Sequence, residues 1–120
     1  MAFFFKDLEV YKKSLDWAEE VEALSRTLKG RISHPFIDQL VRASLSIPLN
    51  IAEGNGRWHH ADKRQFFYIA RGSTFECVPV IEILNRCGAI EKTKFKEYIN
   101  RLDEISKMLT GLIQSVDKLK

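Results

Sequence analysis

Residues Gln39–Arg57 have the sequence QLVRASLSIPLNIAEGNGR and are predicted to form one helix. At about 100° per residue, a helix through this stretch carries apolar side chains over roughly 200° of its circumference. A surface helix in a small domain usually has an apolar stripe somewhat over 100° wide. The apolar arc is therefore wider than one contact needs. This width predicts that the helix packs against two partners, its own bundle and a second subunit.

The apolar residues of this helix fall on two adjacent sides. The side predicted to face the bundle core carries Leu40, Ser44, Ile47 and Ile51. The side predicted to face another subunit carries Val41, Leu45, Leu49 and Ala52. This division predicts an oligomer.

The polar residues of the same helix also line up, within about 80° of one another. They are Gln39, Arg42, Ser46, Asn50, Glu53 and Arg57. One interpretation is a buried polar seam, which tends to fix register and partner identity rather than add stability. The other is a solvated face. The structural members of the seam are predicted to be Gln39, Ser46, Asn50 and Glu53.

Four helices are predicted from the spacing of apolar residues. They run from about Asp7 to Leu28, Phe36 to Glu53 and Asp62 to Arg86, and from Thr93 onward. Asp7 and Thr93 are the expected N-caps of the first and last helices. Short turns join the helices, so the predicted fold is all-α, an up-down-up-down four-helix bundle. Residues 1–120 are expected to form one domain.

Individual residues predict further details of these helices. The core face of the first helix is expected to include Leu15, and that of the third to include Phe66. Gly54, Asn55 and Gly56 are expected to end the second helix in the left-handed conformation. Pro48, inside the second helix, is expected to bend it.

The composition is ordinary for a globular protein, with 45% apolar and 29% charged residues. No apolar run reaches 18 residues, and the start MAFFFK is too short for a signal-peptide core, so a cytoplasmic location without membrane contact is expected. Cys77 and Cys87 are about 15 Å apart if they share one helix, which is too far for a disulfide. Both are expected to be free thiols.

No catalytic or metal-binding signature is present in the sequence. None of the three histidines has a glutamate three residues before it, as di-iron bundles require. No glycine-rich phosphate loop and no nucleophile with an obvious base is found. Asn50 and Glu53 lie on adjacent turns but fit a structural pair better than a catalytic one. The chain is therefore predicted to be a non-enzyme without a cofactor or metal.

Two further groups of residues each have two interpretations. Tyr68 and Phe75 form an apolar stripe on the third helix, either an oligomer contact or a platform for stacking bases. The turn around Trp58, with Lys63 and Arg64, is either an RNA-binding patch or a solvated turn. Residues 57–96 carry eight Lys and Arg against four Asp and Glu, a mild basic bias that fits phosphate contacts and a solvated face equally well.

Four sequence motifs are distinctive: DLEVY at residues 7–11, QLVRAS at 39–44, SIPLNIAEG at 46–54 with Gly56-Arg57, and IARGS at 69–73 with Phe66, Phe67 and Glu76. Through these motifs the chain resembles the 23S ribosomal RNA intervening-sequence protein family. The resemblance covers nearly the whole chain. The chain differs from the family after Arg57, where it has Trp58-His59-His60 instead of a serine followed by an acidic residue.

This resemblance implies a four-helix bundle that assembles into a ring, a homopentamer, and associates with ribosomal RNA. A more distant resemblance, to accessory proteins of diversity-generating retroelements, implies instead an accessory ring that binds a reverse transcriptase. The main hypothesis is a non-catalytic RNA-binding oligomer. The alternative is a protein-binding accessory ring. The predicted phosphate contacts are Arg42, Arg57, Lys63, Arg64 and Arg71.

Overall fold

The computed structural model describes residues 4–118 as four long helices preceded by one short 3-10 helix, with no strand in that range. The elements are a 3-10 helix Phe4–Asp7 and the helices α1 Glu9–Leu28, α2 His34–Asn55, α3 His60–Arg86 and α4 Lys92–Asp117. The all-α prediction is confirmed. The bundle measures 49 × 21 × 21 Å between Cα atoms.

Successive helices are antiparallel neighbours, and α4 returns to pack beside α1, so the up-down-up-down bundle is confirmed. This topology gives the bundle two different ends. The loop end carries the α1–α2 loop, residues 29–33, and the α3–α4 loop, residues 87–91. The turn end carries the α2–α3 turn, residues 56–59, with the start of α1 and the end of α4.

The bundle core contains large apolar side chains from all four helices. Its fully buried members include Trp17, Val21, Leu40, Ile47, Ile51, Ile81, Leu84, Leu102, Ile105 and Leu109. Near the turn end, Phe67 packs with Ile113 and Val116. Leu40, Ile47 and Ile51 thus occupy the core side of α2, as the sequence predicts.

Two side chains expected in the core lie outside it. Leu15 is 40% exposed, whereas Trp17 is fully buried. The indole has the larger apolar area, and its Nε1 donates to Ser44 Oγ at 2.9 Å, so burial leaves no polar atom unsatisfied. In α3, Phe67 is buried and its neighbour Phe66 is only half-buried.

The predicted helix starts are wrong by one or two residues. Helix α1 begins at Glu9 after Leu8, and Asp7 belongs to the preceding 3-10 helix. Helix α4 begins at Lys92 with Glu91 as its N-cap, so Thr93 lies inside the helix. The Thr93 hydroxyl donates to Glu91 Oε1 at 2.7 Å instead of capping a backbone amide.

The prediction of a left-handed helix end at residues 54–56 is also wrong. Within residues 4–118, positive φ angles occur only at Gly30 and Gly88, and α2 continues to Asn55. Gly54 is required for a different reason, which is the close approach of α3. A Cβ atom there would lie 2.7 Å from Cε1 of Phe67 and 3.0 Å from Cβ of Phe66. Helix α2 also runs through Pro48 without a break.

A network of polar and aromatic contacts connects α1 to α4. The Trp17 and Tyr98 rings meet edge to face, with centroids 5.5 Å apart. The Tyr98 hydroxyl donates to Glu20 Oε2 at 2.9 Å, and Arg101 pairs with Glu20 Oε1 at 3.5 Å. Burial, followed by the hydrogen bond to Glu20, raises the pKa of Tyr98 to about 12 from its ordinary value of 10.0.

This pKa predicts a loss of stability at alkaline pH that depends on Tyr98. Because the folded-state pKa is raised, the stabilising effect is complete below pH 10 and is lost as the pH rises from 10.0 to about 12. We expect wild type to exceed Tyr98→Phe in free energy of unfolding by a constant amount below pH 10 and by a shrinking amount above it. Urea denaturation of both proteins at pH 8 and pH 11 measures the difference. An equal difference at both values would contradict the Tyr98–Glu20 assignment.

Candidate subunit and nucleic-acid interface

Helix α2 exposes apolar side chains on the side next to the one that faces the core. Leu45 is 51% exposed and Leu49 is 59% exposed, with Val41 and Ala52 half-buried beside them. We call these four residues the α2 surface. They are the residues that the sequence predicts to face another subunit.

Helix α3 exposes a second apolar surface. Tyr68 is 54% exposed and Phe75 is 51% exposed. Pro79 and Ile83 are exposed on the following turns of the same helix. We call these four residues the α3 surface. The Arg71 guanidinium lies over the Phe75 ring, 4.8 Å from its centroid, and widens the flat surface that the ring presents.

Within one chain, the polar seam ties α2 to α3 between these two surfaces. Ser73 Oγ donates to Ser46 Oγ at 2.9 Å, and Gln39 Nε2 donates to Glu76 Oε2 at 3.2 Å. Asn50 Nδ2 donates to Ser46 O at 2.8 Å and to Ser46 Oγ at 2.9 Å. Ser46 and Asn50 are half-buried, whereas Gln39 is exposed. The polar side chains of the seam therefore hydrogen-bond to one another and to Glu76, while Gln39 remains exposed to solvent.

The charged members of the seam pair along α2. Arg57 Nη2 pairs with Glu53 Oε2 at 2.8 Å, and the Arg57 guanidinium lies 4.7 Å from the centroid of the Phe66 ring. Arg42 is paired with Asp38 at 3.4 Å, outside the seam. Asn50 and Glu53 do not pair with each other. Asn50 bonds to Ser46, one turn earlier, and Glu53 bonds to Arg57, one turn later.

The turn end gathers three of the five predicted phosphate contacts, which are Arg57, Lys63 and Arg64. Lys63 Nζ donates to Asn55 O at 2.9 Å and so satisfies a carbonyl at the end of α2. Arg64 pairs with Asp117 at 3.2 Å. Trp58 projects from the same turn with 89% of its surface exposed. Each of the three cations therefore has a partner within its own chain.

Arg71 lies apart from this group, on the α4 side of α3. Its Nε is buried without a hydrogen-bond partner among the described residues. It borders a cleft of about 330 Å³ that Tyr68, Thr110 and Asp117 also line. Buried guanidinium nitrogens are usually hydrogen-bonded, so this one is an exception among the described side chains.

The two thiols differ in environment. Cys77 is buried, lies 3.4 Å from Ser44 Oγ and is free, and burial raises the pKa of its thiol. A buried thiol with a raised pKa is a poor nucleophile. Cys87 is free and exposed in the α3–α4 loop. Within residues 4–118, no three His, Cys, Asp or Glu side chains come together as a metal site.

None of the described helices is both long enough and apolar enough to cross a membrane.

The fold and its surfaces define a small four-helix-bundle protein with two exposed apolar faces and scattered cations. The chain belongs to the 23S rRNA-intervening sequence protein family, whose model matches residues 6–111.

The structure is also similar to a solved structure, a protein of unknown function from the S23 ribosomal protein family of Bacteroides thetaiotaomicron. The TM-score is 0.82 at 28% sequence identity, over 87% of this chain and 97% of that chain. No curated protein matches the chain. The family resemblance predicted from the motifs is thus confirmed.

Proposed function

We propose that the chain is a non-catalytic subunit of a homo-oligomeric ring that binds RNA. The observation that carries the proposal is the pair of exposed apolar surfaces on different helices. Leu49 on α2 and Tyr68 on α3 each expose more than half of their area, and contiguous apolar exposure usually marks an interface.

Two different surfaces favour a head-to-tail contact between copies. In such a contact the α2 surface of one copy packs on the α3 surface of the next, which leaves one surface of each type free until the assembly closes. Closure produces a ring, and the family resemblance makes five copies the proposed number. The half-buried seam residues Ser46 and Asn50 lie between the two surfaces and would set the angle at which copies meet.

RNA is proposed as the partner because the family's description refers to 23S rRNA and because exposed cations accompany an exposed aromatic ring. Trp58 offers an exposed flat ring in the turn that follows Arg57, and Lys63 lies in the first turn of α3. Unpaired bases stack on such rings. Arg42, which has 78% of its side chain exposed, and the guanidinium of Arg71 complete the proposed contacts.

The test is binding of a fluorescent, structured ribosomal RNA fragment as a function of salt. If about three phosphates are neutralised, affinity should fall by roughly 30-fold between 50 and 200 mM salt, because counterion release governs phosphate contacts. Lys107→Ala, which removes an exposed cation in the middle of α4, should bind as wild type does. Absence of binding at 50 mM salt would contradict the RNA proposal and favour the accessory ring for a protein partner.

A further inference from the structure

We propose that the loop end of the bundle is the principal binding surface for RNA phosphates. This inference rests on the proposed RNA-binding function and assigns its main contacts to residues 29–33 and 86–92. Four cations occupy this end: Lys29, Arg31, Arg86 and Lys92. We call them the loop-end cations.

The loop-end cations have no carboxylate partners. None of them forms an ion pair with any side chain that the structure describes. Among the described residues, the Arg31 guanidinium donates only to the carbonyl oxygen of Thr27, at 3.5 Å. The single acid among residues 29–33 and 86–92 is Glu91, which accepts a hydrogen bond from Thr93 at 2.7 Å. This end therefore carries uncompensated positive charge.

The turn end is different, because carboxylates pair with both of its arginines. Arg57 pairs with Glu53 at 2.8 Å and Arg64 with Asp117 at 3.2 Å. A phosphate that approached Arg57 or Arg64 would have to displace a carboxylate, whereas one that approached the loop end would displace only water and counterions. A phosphate is attracted more strongly by cations that no carboxylate already neutralises. The loop end is therefore the stronger phosphate site.

Both loops hold their cations on a fixed backbone. Gly30 and Gly88 adopt φ angles of +79° and +78° and end α1 and α3 in the same way. Ile32 N donates to Leu28 O at 3.0 Å, and Ala89 N donates to Leu84 O at 2.9 Å. Asn85 Nδ2 donates to Ile90 O at 3.0 Å and closes the second loop. Preorganised cations lose less conformational entropy when they bind.

The surface of the two loops fits a polyanion better than a protein or a membrane. A Cβ atom at Gly30 or Gly88 would meet nothing within 4 Å, so the backbone is open to a close approach. Within residues 29–33 and 87–91 the large apolar side chains, Ile32 and Ile90, are half-buried or buried. Protein interfaces and membrane-surface helices rely on exposed apolar anchors, which these loops lack.

A ring would contain one such phosphate-binding site in each subunit. Cyclic symmetry carries the loop end of every copy to an equivalent position, so one RNA could contact several loop ends at once. Binding to a second site then becomes intramolecular, and the overall affinity rises without any new contact.

Two variants with equal loss of charge test the inference. The loop-end variant carries Lys29→Ala, Arg31→Ala, Arg86→Ala and Lys92→Ala. The turn-end variant carries Arg57→Ala, Lys63→Ala, Arg64→Ala and Lys118→Ala, the last at the end of α4. Each removes four cations, so an effect of net charge alone would weaken both equally. Circular dichroism and sedimentation establish that each variant keeps the fold and the assembly of wild type.

We expect the loop-end variant to bind the structured RNA at least 10-fold more weakly at 100 mM salt and to have a shallower dependence of affinity on salt. The turn-end variant, which removes contacts of the proposed RNA surface, should also bind more weakly than wild type, but by no more than about 3-fold. Equal losses, or a larger loss in the turn-end variant, would overturn the inference while leaving RNA binding intact. The inference would also be overturned if the loop-end variant bound RNA as wild type does but had lost binding to vesicles of anionic phospholipid. Absence of RNA binding by wild type would refute the proposed function itself.

A measurement on wild type makes the test independent of the variants. Lysine amines are acetylated with and without bound RNA, and the extent of modification is read by mass spectrometry. Lys29 and Lys92 should be protected by RNA, whereas Lys107 on the middle of α4 should not. Unchanged modification of Lys29 and Lys92 on saturation with RNA would overturn the assignment.

Discussion

Replacing Gly54 with alanine should destabilise the bundle by about 1–3 kcal/mol, although alanine is the better helix former. The added Cβ would lie 2.7 Å from Cε1 of Phe67, whose ring is only 2% exposed and packs with Ile113 and Val116. Neither the ring nor the Cβ of Phe66, at 3.0 Å, can move away without opening the α2–α3 contact. Thermal or urea unfolding at a fixed protein concentration measures the effect.

Gly111→Ala is the matched control for this substitution. Gly111 also lies inside a helix, α4, but a Cβ atom there would meet nothing within 4 Å. We expect Gly111→Ala to stabilise the protein by about 0.5–1 kcal/mol, since alanine loses less backbone entropy in a helix. A stability of Gly54→Ala equal to or above that of wild type would show that α2 and α3 are not held this close.

Charged residues on either apolar surface should dissociate the oligomer. Leu49→Glu changes the α2 surface and Phe75→Glu changes the α3 surface, at positions that expose 59% and 51% of their area in one chain. Because exposed positions tolerate polar residues within about 0.5 kcal/mol, each variant should remain folded. Burying an unpaired carboxylate in a subunit contact is far more costly, so both variants should sediment near the 13.9 kDa of one chain.

Mixing the two variants tests the head-to-tail geometry. Leu49→Glu keeps an intact α3 surface and Phe75→Glu keeps an intact α2 surface, so an equimolar mixture should form a dimer of one copy of each. Either variant alone should not form it. Self-association of Phe75→Glu alone would indicate that α2 surfaces pair with each other instead. Ala23→Glu, at an exposed position of α1 outside both surfaces, should assemble as wild type does.

The fold could be predicted from the sequence because its strongest signals are local. The spacing of Leu40, Ile47 and Ile51 identified the core side of α2, and the breakers Gly30 and Gly88 lie in the loops between helices. The spacing could not show which of two nearby apolar side chains would be buried. Leu15 and Trp17 both lie near the edge of the α1 stripe, and the indole was buried because Ser44 on α2 accepts its hydrogen bond.

The role of Gly54 and the loop-end cations required the tertiary structure. Glycine after a helical run signals a left-handed end, and only the position of the Phe67 ring showed that Gly54 permits close packing instead. Lys29 and Arg86 are 57 residues apart in the sequence. Their proximity follows from the antiparallel topology, and their lack of carboxylate partners follows from side-chain positions. A count of charges along the chain could have identified each loop as basic. It could not have shown that both loops lie at the same end of the bundle.

The mass of wild type in solution shows whether copies of the chain assemble into a ring. Sedimentation equilibrium at micromolar concentration gives this mass without any assumption about shape. We predict a single closed species of about five times the 13.9 kDa of one chain. A mass of 13.9 kDa would contradict the account, because the α2 and α3 surfaces would then be exposed apolar faces without a partner copy.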